Sequence, residues 1–193
     1  MVKTIELKDE DFLFLTDSLK SFAENEEDST KSSDVEELIK KIELATSTRK
    51  FELVAKFSED LDLLPKRATA NSAGYDLKAA ETVIIKPGEI KLVPTGLKAF
   101  MQKDEVLYLY DRSSNPKKQG FVLANSVGVI DSDYYNNPDN EGLIYGQFMN
   151  ITDKEIRIKK GDRIMQGVFS KFLTVDNDKT GGERLGGFGS TGK

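Results

Sequence analysis

Between Gly120 and Tyr134 the chain reads GFVLANSVGVIDSDY, a run with an amide in its middle and two carboxylates at its end. Asn125 carries a donor and an acceptor on one side chain, which equips it to read a hydrogen-bonding edge from a buried corner. Asp131 and Asp133 share a face if their segment is extended. The chain holds no histidine and no cysteine. Acid–base work near neutral pH therefore falls to carboxylates, Lys or Tyr, and Asp131 is a candidate base. Disulfides, thiolate–zinc sites and Ser–His or Cys–His nucleophiles are excluded. A metal would have to be held by oxygen, which favours Mg²⁺. The plainer account of the same run is turn chemistry, since Asn and Asp favour tight corners.

Four further stretches offer polar chemistry. Asn71 to Leu77 (NSAGYDL) places Asp76 just after a turn glycine, where a strand starts. Asp111-Arg112-Ser113-Ser114 sets a guanidinium beside two hydroxyls, a combination that suits phosphate oxygens and also an ordinary solvated turn. Lys160 to Gln166 (KGDRIMQ) reads as a turn into a strand, with Arg163 and Gln166 on opposite faces; a structural ion pair is the plain account of Arg163. Arg184 to Lys193 (RLGGFGSTGK) matches the spacing G-x-x-x-x-G-K, yet no Ser or Thr follows Lys193, so the phosphate-loop reading is set aside. What remains is a Gly-rich arm with hydroxyls, one Phe and one Arg, suited to wrapping a polyphosphate and stacking on a base.

These groups need elements to hold them. Phe51 to Phe57 alternates like a strand, and strand-like runs follow at 82–85, 90–93, 106–110, 121–124, 143–149, 156–158 and 164–172. A turn is expected at Gly128, making 120–134 a hairpin with its chemistry at the rim. Many short strands with regular turns predict an all-β sandwich or barrel. Residues 1–48 differ in texture: Phe12, Leu15, Leu19 and Phe22, then Val35, Leu38, Ile39 and Ile42, recur at helical spacing, the second set after a capping box at Ser33 and Glu36. Three segments result: an acidic helical extension (1–48), a β domain (49–175) and a flexible Gly-rich C-terminal arm (176–193).

The net charge of −5 is unevenly placed, with 6 Lys against 13 Asp and Glu in 1–48 and 22 basic against 20 acidic residues thereafter. The body therefore does not repel an anionic ligand. Without a basic stripe interleaved with aromatics, nucleic acid is not an expected partner. No run is apolar enough for a membrane helix, and no signal pattern opens the chain, so the expected compartment is cytoplasmic.

Taken in order, AGYDL, RSSNPKKQG, NSVGVIDSDY, GDRIMQG and GGFGSTG resemble the five motifs of the trimeric dUTP diphosphatases (dUTPases). The form resembled is the Gram-positive and phage-like one, with a helical extension ahead of the β domain. The resemblance runs from Arg49 to Lys193. It implies a jelly-roll, or distorted β-barrel, that forms a homotrimer with active sites shared between chains. It also implies Mg²⁺-dependent hydrolysis of dUTP to dUMP and diphosphate, which limits uracil incorporation into DNA and supplies dUMP for thymidylate synthesis.

By resemblance, Asp131 is the general base that activates the attacking water, and Asp76 meets the metal through water. Arg112, Ser113, Ser114, Gln119 and Gln166 take the phosphates. Asn125 and the hairpin backbone, Val129 included, read uracil, and Tyr134 packs against deoxyribose to exclude a 2′-hydroxyl. From the arm, Phe188 stacks on the base, while Arg184, Gly189, Ser190 and Thr191 reach the nucleotide, chiefly its γ-phosphate.

The sequence departs from the pattern in places. Asp111 stands where Pro usually precedes Arg-Ser, which puts an extra negative charge near the phosphates, and Ser114 replaces a frequent Gly. Arg184 sits one residue closer to Phe188 than is common. About five extra residues within 135–142 (YNNPDNEG) lengthen the third motif. An alternative reading makes the chain a regulatory dUTPase-like protein that binds a protein partner through the N-terminal helices or this loop under nucleotide control. The related dCTP deaminase architecture fits less well, because the fifth motif and Asp131 are both present.

Overall fold

The structure is a computed structural model that describes residues 15–22, 35, 38, 39, 42 and 49–179. The chain divides into two compact units, Met1–Thr48 and Arg49–Lys193. In the first, 15–22 and positions 35, 38, 39 and 42 are helical. Leu15 and Leu19 of the first apolar stripe lie in that helix, whereas Phe12 and the capping box at Ser33 and Glu36 fall outside the described residues. No helix among the described residues is long and apolar enough to cross a membrane.

The second unit is all-β. Its described strands are β1 (Lys50–Leu53), β2 (Lys66–Arg67), β3 (Tyr75–Lys78), β4 (Val83–Ile85), β5 (Ile90–Pro94), β6 (Leu97–Phe100), β7 (Glu105–Asp111), β8 (Phe121–Leu123), β9 (Val127–Asp131), β10 (Tyr145–Asn150), β11 (Ile156–Ile158) and β12 (Arg163–Lys171). They form four antiparallel sheets with the orders β1-β6, β5-β10-β8, β11-β4 and β2-β3-β12-β7-β9. Together they wrap one apolar core as a distorted jelly-roll.

Alternation fixes which side chains face that core. Along β7, Leu107 and Leu109 point inward and are fully buried; Leu77, Ile85, Val93, Leu97, Ile144, Phe148, Ile158, Ile164 and Met165 meet them. Burying each such side chain contributes about 1.5–3 kcal/mol. Val54, Phe57, Leu63, Ala80 and Leu143 make a smaller cluster.

Three local expectations need correction. The strand expected over 51–57 stops at Leu53; Ala55–Phe57 is a 3₁₀ turn that drops Phe57 into the smaller cluster. The run 120–134 is not a hairpin, because β8 pairs with β10 while β9 pairs with β7 in a different sheet. Nor is Gly128 a turn. It lies within β9 opposite Leu109, and a Cβ there would sit 3.0 Å from the Leu109 Cβ, a close approach that glycine eases. The chain changes direction instead at Ser126, at φ 60°, whose N–H donates to Leu123 O across 3.1 Å.

Candidate active site

Antiparallel register places the first group. On the five-stranded sheet Asp76 lies opposite Gln166, Gln166 opposite Tyr110, and Tyr110 opposite Val127, so these side chains share one face. Arg112 follows the end of β7 and reaches back, its Nε donating to Asp76 Oδ1 at 3.1 Å. Arg163 donates from Nη1 to Asp76 Oδ2 at 3.0 Å, brought alongside by a bulge in β12 between Arg163 and Met165. Arg112 Nη1 also donates to Arg163 O at 3.2 Å. Asp76 is thus a half-buried carboxylate under two guanidinium groups. Gln166 donates to Asp111 O at 3.4 Å, and a Cβ at position 74 would lie 2.6 Å from Gln166 Oε1, so Gly74 leaves room for that amide.

Ser113 is exposed and Ser114 half-buried, both on the turn between β7 and a π-helical segment, Asn115–Gln119. Gln119 is exposed and shares with Arg112, Phe121, Arg157, Asp162 and Arg163 the lining of a cleft of about 430 Å³. The cationic side of that cleft suits phosphate oxygens.

Asp111 behaves unlike the extra charge expected of it. Its Oδ1 accepts from the Arg112 N–H at 2.9 Å and from Asn115 Nδ2 at 2.6 Å, and its Oδ2 accepts from the Leu123 N–H at 3.2 Å. Asn115 is fully buried and its Nδ2 also donates to Ile164 O at 2.6 Å. These two residues join β7, the Arg-Ser-Ser turn, β8 and β12. Neither role has a local sequence signal, because Leu123 and Ile164 are distant in the chain.

The second group lies on β9 and the turn after it. Asn125 is exposed at the corner between the sheets, not buried as expected, and its Nδ2 lies 3.5 Å from Val127 O. Val129 is 56% exposed on the outer face. Asp131 is exposed at the end of β9, opposite Val106. The strand stops there, and Ser132–Tyr134 forms a 3₁₀ turn, so Asp133 does not continue the alternation that would pair it with Asp131. Tyr134 is buried at 6% exposure. Its hydroxyl donates to Leu143 O at 3.1 Å and accepts from Asn140 Nδ2 at 2.8 Å.

The lengthened loop is tied down. Ala55 N–H donates to Glu141 Oε2 at 3.1 Å, and Lys98 Nζ to Asn136 Oδ1 at 2.7 Å. The Tyr135 hydroxyl donates to Glu52, which also meets Lys50 Nζ at 2.7 Å. Burial works to raise Glu52, yet hydrogen bonds from Lys50 and Tyr135 hold its carboxyl below the usual range. Burial, then the hydrogen bond to Glu52 and its charge, push the Tyr135 phenol well above the usual range.

The two groups are apart within one chain. Three strand spacings, roughly 14 Å, separate Asp76 from β9, and Asp131 lies four residues, roughly 13 Å, down the sheet from the Asp76–Gln166–Tyr110 row. Arg184, Phe188, Gly189, Ser190 and Thr191 lie outside the described residues. Among the described residues no three carboxylates gather as a metal cage.

The barrel thus presents a cationic cleft beside one carboxylate, with a second carboxylate displaced along the same sheet, groups that suit a polyphosphate ligand. A sequence profile of the dUTPase family matches residues 63–192. The deoxyuridine 5′-triphosphate nucleotidohydrolase of Lactococcus lactis is 62% identical over 146 residues, covering 75% of this chain and 97% of its own. That of Chromobacterium violaceum is 40% identical over 140 residues, covering 68% and 89%. A crystal structure of dUTPase from Streptococcus mutans superposes with a TM-score of 0.65 at 58% identity, covering 66% of this chain and 99% of that one. The chain belongs to the dUTPase family. Its reaction is hydrolysis of dUTP to dUMP and diphosphate, and no finding favours the regulatory reading.

Proposed function

We propose that the catalytic unit is a homotrimer in which Asp131 of one protomer serves a dUTP whose phosphates rest on Arg112, Ser113, Ser114, Gln119 and Gln166 of another. The observation that carries this is the separation of Asp131 from the Arg112–Asp76–Gln166 group. Both offsets exceed what an attacking water and one α-phosphate can bridge, since a base must lie within hydrogen-bond reach of the proton it takes. A second copy brought against the outer face of the sheet closes the gap. That face supports the reading: Tyr110, Val127 and Val129 are exposed there at 37%, 37% and 56%, an apolar patch on the outside of the barrel.

In the assembled site Asn125 and the backbone at Val129 read the uracil edge. Cytosine presents the opposite donor–acceptor sense and leaves buried groups unpaired. Tyr134 packs against deoxyribose. Asp131 orients water in line with the leaving diphosphate and takes its proton, so position supplies much of the rate. Arg112 offsets charge as the P–O bond breaks. Phe188 stacks on uracil, and Arg184, Gly189, Ser190 and Thr191 close over the γ-phosphate.

Mg²⁺ suits oxygen donors of this kind: it would be held by the substrate's phosphates, with the half-buried Asp76 carboxylate meeting it through water. When bound, it neutralises charge on the departing diphosphate. We place the reaction in the cytoplasm, where such a nucleotide pool lies.

Subunit complementation tests the arrangement. Asp131→Asn and Arg112→Ala chains, each inactive alone, are co-expressed with different tags and mixed trimers isolated. In each isolated mixed trimer one site of the three, about one third of the total, pairs an intact Asp131 with an intact Arg112 from a different chain. No recovered diphosphate release from dUTP rules out a shared site. Separately, Asp131→Asn alone lowers kcat about 10²–10⁴-fold while a non-hydrolysable dUTP analogue still binds.

A further inference from the structure

The 135–142 loop is built around a single hydroxyl. Asn140 Oδ1 accepts from the Gly142 N–H at 3.0 Å. Because that backbone group can only donate, the amide has one orientation, and Nδ2 must be the atom facing the Tyr134 hydroxyl at 2.8 Å. The phenol oxygen therefore accepts from Asn140, and its proton goes to Leu143 O at 3.1 Å. The loop backbone fixes Asn140 in turn. Asn140 N–H donates to Asn137 O at 3.3 Å, Leu143 N–H to Asn140 O at 3.0 Å, and Asn137 N–H to Tyr134 O at 3.2 Å. The loop is pinned to the barrel by Glu141 on the Ala55 N–H and by Lys98 on Asn136.

We propose that Asn140 is a specificity-determining residue for the sugar: by occupying the Tyr134 hydroxyl and holding the ring in place, it denies a ribose 2′-hydroxyl both a partner and space. This inference rests on the reading of Tyr134 as the residue that packs against deoxyribose. A free phenol could turn to accept from a 2′-OH or donate to it. A phenol held from both sides can do neither without losing a bond it already has. A 2′-hydroxyl arriving beside it is desolvated without compensation, and a site rejects such a group by the cost of leaving it unpaired. The ring excludes by shape and Asn140 makes that shape rigid. Asn140 is a positioning residue, since it touches Tyr134 and not the nucleotide.

The test is the ratio of kcat/KM for dUTP to that for UTP, in full-length wild type, Asn140→Leu, Asn140→Asp and Tyr134→Ala. The ratio is insensitive to the fraction of each preparation that folds, because both substrates use the same active molecules. Asn140→Leu removes both amide bonds. Asn140→Asp keeps an acceptor for the Gly142 N–H and replaces the donor facing the phenol with a carboxylate oxygen, which can only accept from it. Narrowing of the dUTP preference by about five- to tenfold in either Asn140 variant is the expected result, the scale of one lost hydrogen bond. If Tyr134→Ala narrows the ratio and both Asn140 variants keep the wild-type value, the proposal about Asn140 is overturned and the role of Tyr134 stands. If Tyr134→Ala itself keeps the wild-type ratio, the reading of Tyr134 fails and the proposal fails with it.

Discussion

Arg112 holds Asp76 across 3.1 Å from its Nε, while its Nη1 donates to the carbonyl of Arg163. A guanidinium bonded on two edges is preorganised before any phosphate arrives, and the ordering entropy of a long side chain is largely met in advance. Lysine offers one flexible point charge. Arg112→Lys should therefore lower kcat/KM for dUTP about 10–100-fold while the mass of the assembly in solution and the thermal midpoint hold. Steady-state diphosphate release checks this; a change below twofold would show that the fork geometry is dispensable.

Gly74 is a test of fit in place of charge. Its added methyl in Gly74→Ala would meet Gln166 Oε1 at 2.6 Å, the far end of a flexible side chain, so the amide turns away and the fold survives. The expected outcome is a KM for dUTP raised about tenfold, with the urea midpoint little moved. Gln166→Ala should then match Gly74→Ala in KM, and the double variant should add little to either.

Asp111 gives a stability prediction. Asp111→Ala leaves the Arg112 and Leu123 N–H groups without their carboxylate, which costs about 1–3 kcal/mol in a urea titration. Asn115 keeps its bond to Ile164 O, so the turn loosens without losing its last anchor. A variant as stable as wild type would mean that water replaces the carboxylate at no cost.

The motifs themselves were legible in the sequence because each is a short, local arrangement. Arg112, Ser113 and Ser114 are contiguous, and Asp131 ends its own strand. Alternation also located most of the strands. The two-residue β2 and the LKAF run of β6 lacked enough pattern to stand out. What sequence could not convey was long-range partnership. Nothing local reveals that Asn115 reaches Ile164, that Asn140 meets Tyr134, or that β8 and β9 belong to different sheets. Ser126 made this harder, because it adopts a left-handed conformation that glycine would have advertised and serine does not.

Tyr135 predicts a pH dependence. Its folded pKa is raised above the ordinary value of 10.0, so the stability it contributes is fully present below pH 10 and is lost as pH rises beyond that. Glu52 is lowered from 4.5, so its contribution is present above that pH and is lost as pH falls through the folded value. Tyr135→Phe should cost about 1 kcal/mol at pH 7 to 8. The gap between variant and wild type should close above pH 10 and again below pH 4.5. Urea midpoints across that range provide the check, and a gap that stays constant would detach the phenol from Glu52.

The corner at 124–126 is slung between two sheets, with Leu123 held against Phe148 on one side and Gly128 against Leu109 on the other. Ala124 N–H donates to Gln147 O at 2.8 Å and Ser126 N–H to Leu123 O at 3.1 Å, but no ladder pairs β8 with β9 to set the distance between the two sides. The thickness of the barrel's interior does that, as a calliper's jaws are set by what lies between them. A chain diversified to accept a bulkier base should therefore yield winners at buried positions such as Leu109 and Leu123, remote from any nucleotide atom, where a smaller side chain lets the jaws come to a new gauge.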